Sequence, residues 1–372
     1  MRVLFPFVGD SIGGSHNSII ELYRILRSSS ITPIFVLHKI GPLSELLDSL
    51  NIQYKYINVK SLAGESPSIF KIIMSVTFNF FRFSKFIRKN KIDIVHGNDL
   101  RVNLTWSLPT RLSGSIYIWH QRSVMSSSAL WKTSNILADH FVTTSNYVHR
   151  SLPNNVKKSK KTLVINPFNV DNFFQQETSR QWLNVLYNIP KQSVLLGYIG
   201  RLVDWKNVDF LIYCFAECLK RFDLNLHLII VGTGRDEYED SLKQLVWKLE
   251  INTWVTFAGF NSEPSRVISA LDLMIAPSNK EPFGRTIIEA MIQKTPVIAA
   301  KGGGHIETVK HRETGWLYSH GDIQDFIAKL KEILNEQKMA DNIVQRAYIH
   351  AHSKYSSTRH VEKMISIYNQ LY

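Results

Sequence analysis

Two stretches in the second half of the chain hold residue types that bind anions and sugars. Residues 276–290 read Ala-Pro-Ser-Asn-Lys-Glu-Pro-Phe-Gly-Arg-Thr-Ile-Ile-Glu-Ala. An apolar run ends at Ala276, a loop follows, and a helix is expected to start near Phe283 or Gly284. Gly284 allows close backbone approach, and the amides of Arg285 and Thr286 would form an anion site at the helix N-terminus. A diphosphate placed there has a carboxylate on each side. Glu281, in the loop, suits sugar hydroxyls; Glu289, in the second helical turn, suits ribose hydroxyls. Either acid alone reads as an ordinary capping or solvated residue. The whole stretch reads as a ligand site.

Residues 197–207, Gly-Tyr-Ile-Gly-Arg-Leu-Val-Asp-Trp-Lys-Asn, form the second stretch. A strand ends at Gly200, and Arg201 and Lys206 lie in the loop beyond it. When a sugar–diphosphate bond breaks, negative charge grows on the departing phosphate and must be met by a metal or by cations. No two aspartates are spaced i, i+2, so the usual Asp-x-Asp metal holder is missing from the chain. Arg201, bidentate to phosphate, and Lys206, a point charge, would take its place, with no cofactor and no metal.

Such groups need strands to end beside them. Short β-branched runs alternate with helical patterns at 3–7, 33–38, 92–96, 116–120, 141–144 and 163–166. They resume at 194–200, 226–232, 255–259, 273–276 and 297–300. Continuous apolar strands separated by helices predict parallel sheets covered on both faces. With 372 residues and an irregular stretch near 166–189, the expectation is α/β architecture with two Rossmann-like, doubly wound domains. The first would span 1–170, with a C-terminal helix over 355–372 packing back on it, and the second 171–354. Ligands of open parallel sheets collect beyond the carboxyl ends of the strands. Both stretches lie there.

These motifs, with Gly-Gly-Gly-His-Ile-Glu at 302–307 and Thr-Gly-Trp-Leu at 314–317, resemble the retaining glycosyltransferases of family 4, which have the GT-B fold with its two domains facing a central cleft. The similarity runs in order through the second half. Weaker echoes in the first half are Gly13-Gly14 and residues 93–96 and 139–145, and 166–171 resemble the crossover between the domains. The resemblance implies transfer of a hexose-type sugar from a nucleotide sugar, UDP- before GDP-, to a glycan or lipid-linked acceptor in bacterial cell-surface polysaccharide synthesis. It gives Arg201 and Lys206 the diphosphate, Glu281 the sugar, the backbone of Phe283, Gly284, Arg285 and Thr286 the sugar and phosphates, and Glu289 the ribose. Gly14 would approach the donor from the first domain. His120 resembles a histidine lining the acceptor side, a role for which His16 and His96 compete. Departures are Asn207, where glycine is usual, Lys294-Thr295 before Pro296, where a glycine is common, and Ser15-His16 after the paired glycines, where a small residue and an acid are frequent.

Charge divides unevenly. Residues 1–170 hold 21 basic against 8 acidic residues, and the rest of the chain holds 23 of each. The first half therefore faces an anionic partner or carries solubility charge. Within it, residues 69–91 interleave Phe70, Phe78, Phe80, Phe81, Phe83 and Phe86 with Lys71, Arg82, Lys85, Arg88 and Lys89. As a helix it would turn Ile69, Ile73, Val76, Phe80, Phe83 and Ile87 to the core, leaving Phe78 and Phe81 for an anionic membrane surface. The apolar run 72–81 is about half of a bilayer span. Cys214 and Cys218 are too close along one helix face to staple, and no signal-peptide pattern opens the chain, so a cytoplasmic protein, peripheral on the inner face of the plasma membrane, is expected. Three rivals carry less. A sugar-nucleotide epimerase shares the fold but is not expected to have the 281–289 acids. A nicotinamide dehydrogenase would need a glycine where Glu237 stands. Nucleic acid is not an expected partner, since no recognition motif is present.

Overall fold

The computed structural model describes residues 1–59, 68–125 and 136–372, the side chains of 69, 71, 72, 75 and 76 excepted. The contacts divide the chain into Met1–Phe168 with Ser357–Tyr372, and Asn169–Ser356. Each unit is built on one parallel sheet.

In the first unit the strands are β1 (Arg2–Phe7), β2 (Thr32–Leu37), β3 (Tyr54–Tyr56), β4 (Ile94–Gly97), β5 (Ile116–Gln121), β6 (His140–Thr143) and β7 (Lys161–Leu163), in the order β3-β2-β1-β4-β5-β6-β7. Alternation along β1 sorts side chains between two apolar layers. Val3, Phe5 and Phe7 enter one cluster and Leu4 the other. The helix Ser357–Leu371 closes the first layer with Val361, Met364, Ile367 and Tyr368, beside Ile19 and Leu22 of the helix Gly14–Leu26.

In the second unit β8 (Val194–Ile199), β9 (Leu226–Val231), β10 (Val255–Gly259), β11 (Leu273–Ala276), β12 (Val297–Ala300) and β13 (Trp316–Tyr318) run in the order β10-β9-β8-β11-β12-β13. The chain leaves β10 at one edge and re-enters beside β8 as β11. The β8/β11 pair is therefore the switch point, where diverging loops open a crevice beyond the strand ends.

Several expectations are corrected. Strands β3 and β13 were not anticipated; both are three-residue edge strands with little pattern of their own. Strand β7 lies two to three residues earlier than expected, because its register is set by pairing Phe141 with Lys161. The stretch near 166–189 is not irregular throughout, since it holds the helix Gln176–Tyr187. The aromatic helix Ile69–Lys89 buries only part of its expected face. Phe83 and Ile87 are buried, whereas Ile73 is 59% exposed. Phe83 stacks on Trp106 of the helix Leu100–Leu112 at 4.1 Å between ring centroids. That partner is about 20 Å long against about 31 Å for the aromatic helix, so it cannot cover the N-terminal turns. The side chains of Ile69, Lys71 and Val76 lie outside the described residues.

Candidate donor site

Two loops meet beyond the switch point of the second unit. The first leaves β8 through Gly200 and Arg201 into a short 3-10 turn, Asp204–Lys206. It ends at Asn207, whose φ of 55° is left-handed, a conformation that asparagine tolerates better than most residues. This explains the departure from glycine at 207. Lys294 has φ 58° and is the same kind of position, filled by a less tolerant residue.

The second loop leaves β11 at Ala276 and enters the helix Arg285–Ile292. The helix therefore begins one to two residues later than the pattern suggested, with Gly284 as N-cap at φ 91°. A Cβ at Gly284 would lie 3.0 Å from His305 Cδ2, so both conformation and space demand glycine.

Hydrogen bonds stitch the loops together. The Ser278 hydroxyl donates to the Trp205 carbonyl at 2.9 Å, and the Asn207 amide donates to the Pro277 carbonyl at 3.4 Å. The Lys206 ammonium is paired with the Glu281 carboxylate and lies 4.5 Å from the centre of the Trp205 ring. Both charged side chains are largely buried, 17% and 15% exposed. The structure thus brings together two groups 75 residues apart that were assigned to leaving group and sugar.

The glycines at 302–304 act on the same loop. A Cβ would stand 2.5 Å from the Asn279 carbonyl oxygen at Gly302, 2.6 Å from that of Glu281 at Gly303, and 2.7 Å from Phe283 Cα at Gly304. The Gly304 amide donates to the Glu281 carbonyl at 2.7 Å. Bare backbone after β12 is thus what lets the 279–284 loop lie where it does. His305 completes this floor. It donates from Nδ1 to the Ala300 carbonyl at 3.1 Å, and burial pushes its pKa down to about 4. Trp205, Ser278 and His305 had no assigned role from sequence. The glycine run before His305 was the available signal.

The other expected donor ligands fall nearby in the chain. Arg201 is exposed, and its carbonyl accepts from the Tyr198 hydroxyl at 2.8 Å. The Gly200 amide donates to the Val231 carbonyl. Phe283 is buried, its ring edge-on to Tyr355 at 6.0 Å, so only its backbone can meet a ligand. Thr286 is half-buried in the first helical turn. Arg285 and Glu289 pair one turn apart at 3.4 Å.

In the first unit Gly14 opens the helix Gly14–Leu26, capped at Gly13. His16 Nδ1 accepts from the Gly13 amide at 3.0 Å and its ring lies 5.2 Å from that of Phe7, so this histidine is occupied as a cap. His96 and His120 are buried side by side at the ends of β4 and β5.

Two parallel sheets in these orders form the GT-B fold of known glycosyltransferases. Residues 185–350 match the family model described as glycosyl transferases group 1. The resemblance first seen in the motifs is thereby supported. Among curated proteins, the chain is 26% identical over 226 residues to the capsular polysaccharide biosynthesis glycosyltransferase CapM of Staphylococcus aureus, covering 59% of this chain and 58% of CapM. It is 28% identical over 186 residues to N-acetyl-alpha-D-glucosaminyl L-malate synthase of Bacillus anthracis, covering 50% and 47%. The chain spans about half the length of the curated relatives it matches. Among solved structures, Anabaena HepE in complex with UDP and glucose superposes with a TM-score of 0.86 over 99% of both chains, at 20% identity.

Proposed function

We propose that the chain is a retaining glycosyltransferase that moves a hexose from a nucleoside-diphosphate sugar to a glycan or lipid-linked acceptor. The supporting observation is the Lys206–Glu281 pair set beside the glycine-capped helix start at the β8/β11 switch point. Lys206 and Arg201 are cations for the diphosphate, the first-turn amides add donors, and Glu281 and Glu289 accept from sugar and ribose hydroxyls. In the transfer the anomeric C–O bond to the β-phosphate breaks as the acceptor oxygen bonds to the same face. The acceptor proton passes to the departing phosphate oxygen. No protein nucleophile is needed, and the cations stabilise the leaving charge without a divalent ion.

UDP is the favoured nucleotide, since HepE structures hold UDP and UDP-glucose. A role in bacterial surface polysaccharide is favoured by the name of CapM. The partner of the aromatic helix is an anionic membrane carrying the acceptor. Phe70, Phe78 and Phe81 are 68%, 88% and 78% exposed on a helix that also carries Arg82, Lys85, Arg88 and Lys89, and no described helix is long and apolar enough to cross a membrane.

Thermal unfolding in the presence of UDP-, GDP- and ADP-sugars tests the reading, because a ligand of the folded state raises the midpoint. A rise with UDP-sugars in chelator is expected; no rise with any of the three defeats it. Sedimentation with phosphatidylglycerol vesicles tests the membrane partner. Equal binding to neutral vesicles, or none, removes it.

A further inference from the structure

The first unit buries a polar chain that joins the C-terminal helix to the end of β5. The Tyr368 hydroxyl lies 2.7 Å from His96 Nδ1, and His96 Nε2 lies 3.1 Å from His120 Nδ1. The two imidazoles are within 5° of parallel. Arg122 Nη2 is 3.3 Å from the same His120 Nδ1. Its guanidinium is held in place by donating to Asn98 Oδ1 at 2.8 and 3.0 Å and to Asn166 Oδ1 at 2.6 Å. His120 Nε2 is buried and has no hydrogen-bond partner among the described residues.

Donor rules give this chain a direction. Guanidinium can only donate, so His120 Nδ1 facing it must be the bare nitrogen. Burial and the Arg122 charge hold both imidazoles well below their ordinary pKa, so each carries one proton. The proton between the rings then belongs to His96 Nε2. That leaves His96 Nδ1 bare and makes Tyr368 the donor to it. Burial pushes the Tyr368 phenol well up, which keeps it protonated for that task.

We propose that the Arg122–His120–His96–Tyr368 chain locks His120 as its Nε2–H tautomer, a hydrogen-bond donor for a hydroxyl or carbonyl oxygen of the substrate, with Tyr368 as a distant positioning residue. The assignment of substrate to His120 rests on the glycosyltransferase reading; the tautomer lock does not. Tyr368 lies 272 positions from His96 in sequence, which ties the C-terminal helix to the end of β5. His96 and His16 are thereby released from the substrate-facing role: one is an internal link, the other a helix cap.

The test is 15N–1H correlation of imidazole nitrogens in the full chain at pH 7, with signals assigned through His96→Gln and His120→Gln. Wild type is expected to show His120 protonated at Nε2 and bare at Nδ1, and His96 likewise. Tyr368→Phe removes the donor at His96 Nδ1 without changing ring size. It is expected to give His96 a mixed tautomer and to shift or broaden the His120 signals. Arg122→Lys keeps a donor-only partner and should preserve the wild-type tautomer, whereas Arg122→Gln can accept and should let His120 Nδ1 take the proton. An Nδ1–H His120 in the wild type, or His120 signals unmoved in Tyr368→Phe and Arg122→Gln alike, overturns the lock. UDP-glucose hydrolysis separates the two layers. Tyr368→Phe is expected to lower kcat about tenfold with KM unchanged. Absence of turnover in wild type would count against the donor reading while the tautomer result stands.

Discussion

Replacing Lys206 by alanine separates a leaving-group cation from a structural ion pair. The Lys206 ammonium is satisfied by Glu281 and the Trp205 ring, so its loss strands a carboxylate that is 15% exposed. Breaking a fully buried pair costs about 3–5 kcal/mol; residual solvent access reduces that here to about 1–3 kcal/mol, still short of unfolding an ordinary domain. The catalytic loss is larger in effect. One preorganised donor at a developing anion is worth about 3–4 kcal/mol, or 10²–10³ in kcat. UDP release from UDP-glucose should therefore fall by about that factor in Lys206→Ala, with thermal unfolding showing a folded protein. The double variant Lys206→Ala/Glu281→Ala removes both charges. It should regain much of the lost stability and none of the activity. A kcat within threefold of wild type in Lys206→Ala, or recovery of activity together with stability in the double variant, would refute the argument and leave Lys206 as a structural partner of Glu281.

Other expected outcomes follow from the same contacts. Gly284→Ala places a methyl 3.0 Å from His305 in a backbone conformation at φ 91°, and should cost the second unit about 1–3 kcal/mol by denaturant titration while weakening UDP binding. His38 in the first unit and His305 in the second are buried, with burial lowering each pKa to about 4. Their depressed values cost nothing above about pH 6.5, where both states are neutral. Below it the unfolded chain binds a proton that the folded chain refuses. Each unit should therefore lose up to about 1.4 kcal/mol per pH unit per histidine between about pH 6.5 and 4; a midpoint unchanged from pH 7 to 5 would contradict this. Phe78→Ser with Phe81→Ser alters two exposed side chains, and should leave stability unchanged while lowering sedimentation with anionic vesicles several-fold.

Much of the fold was legible because parallel strands buried on both faces write themselves as continuous apolar runs. Leu273–Ala276 and Val297–Ala300 are fully buried, and their limits were read directly from the sequence. Edge strands carry no such signal. Tyr54–Tyr56 is largely exposed, and Trp316–Tyr318 acquires strand geometry only through pairing with β12. The aromatic helix misled for a related reason: periodicity identifies a face but not whether a partner long enough to cover it exists. At the candidate site, glycines and strand ends marked the two loops, since these reflect local backbone needs. The Lys206–Glu281 pair and the bonds from Ser278 and Asn207 are contacts at 70 or more residues' separation, which only the topology creates. The glycines at 302–304 belong to both kinds. Their run was visible, but the reason for it is the Asn279–Gly284 backbone lying against them.

In the proposed reaction, diphosphate charge is met by protein cations beyond β8. Calorimetric titration of UDP and of uridine, both in chelator, measures that contribution alone. Two charge-assisted contacts at about 1.5–3 kcal/mol each predict that UDP binds at least about a hundredfold more tightly than uridine. In Arg201→Ala/Lys206→Ala the ratio should fall below about tenfold, with uridine affinity unchanged. Equal affinities in the wild type, or a ratio that survives removal of both cations, would contradict it.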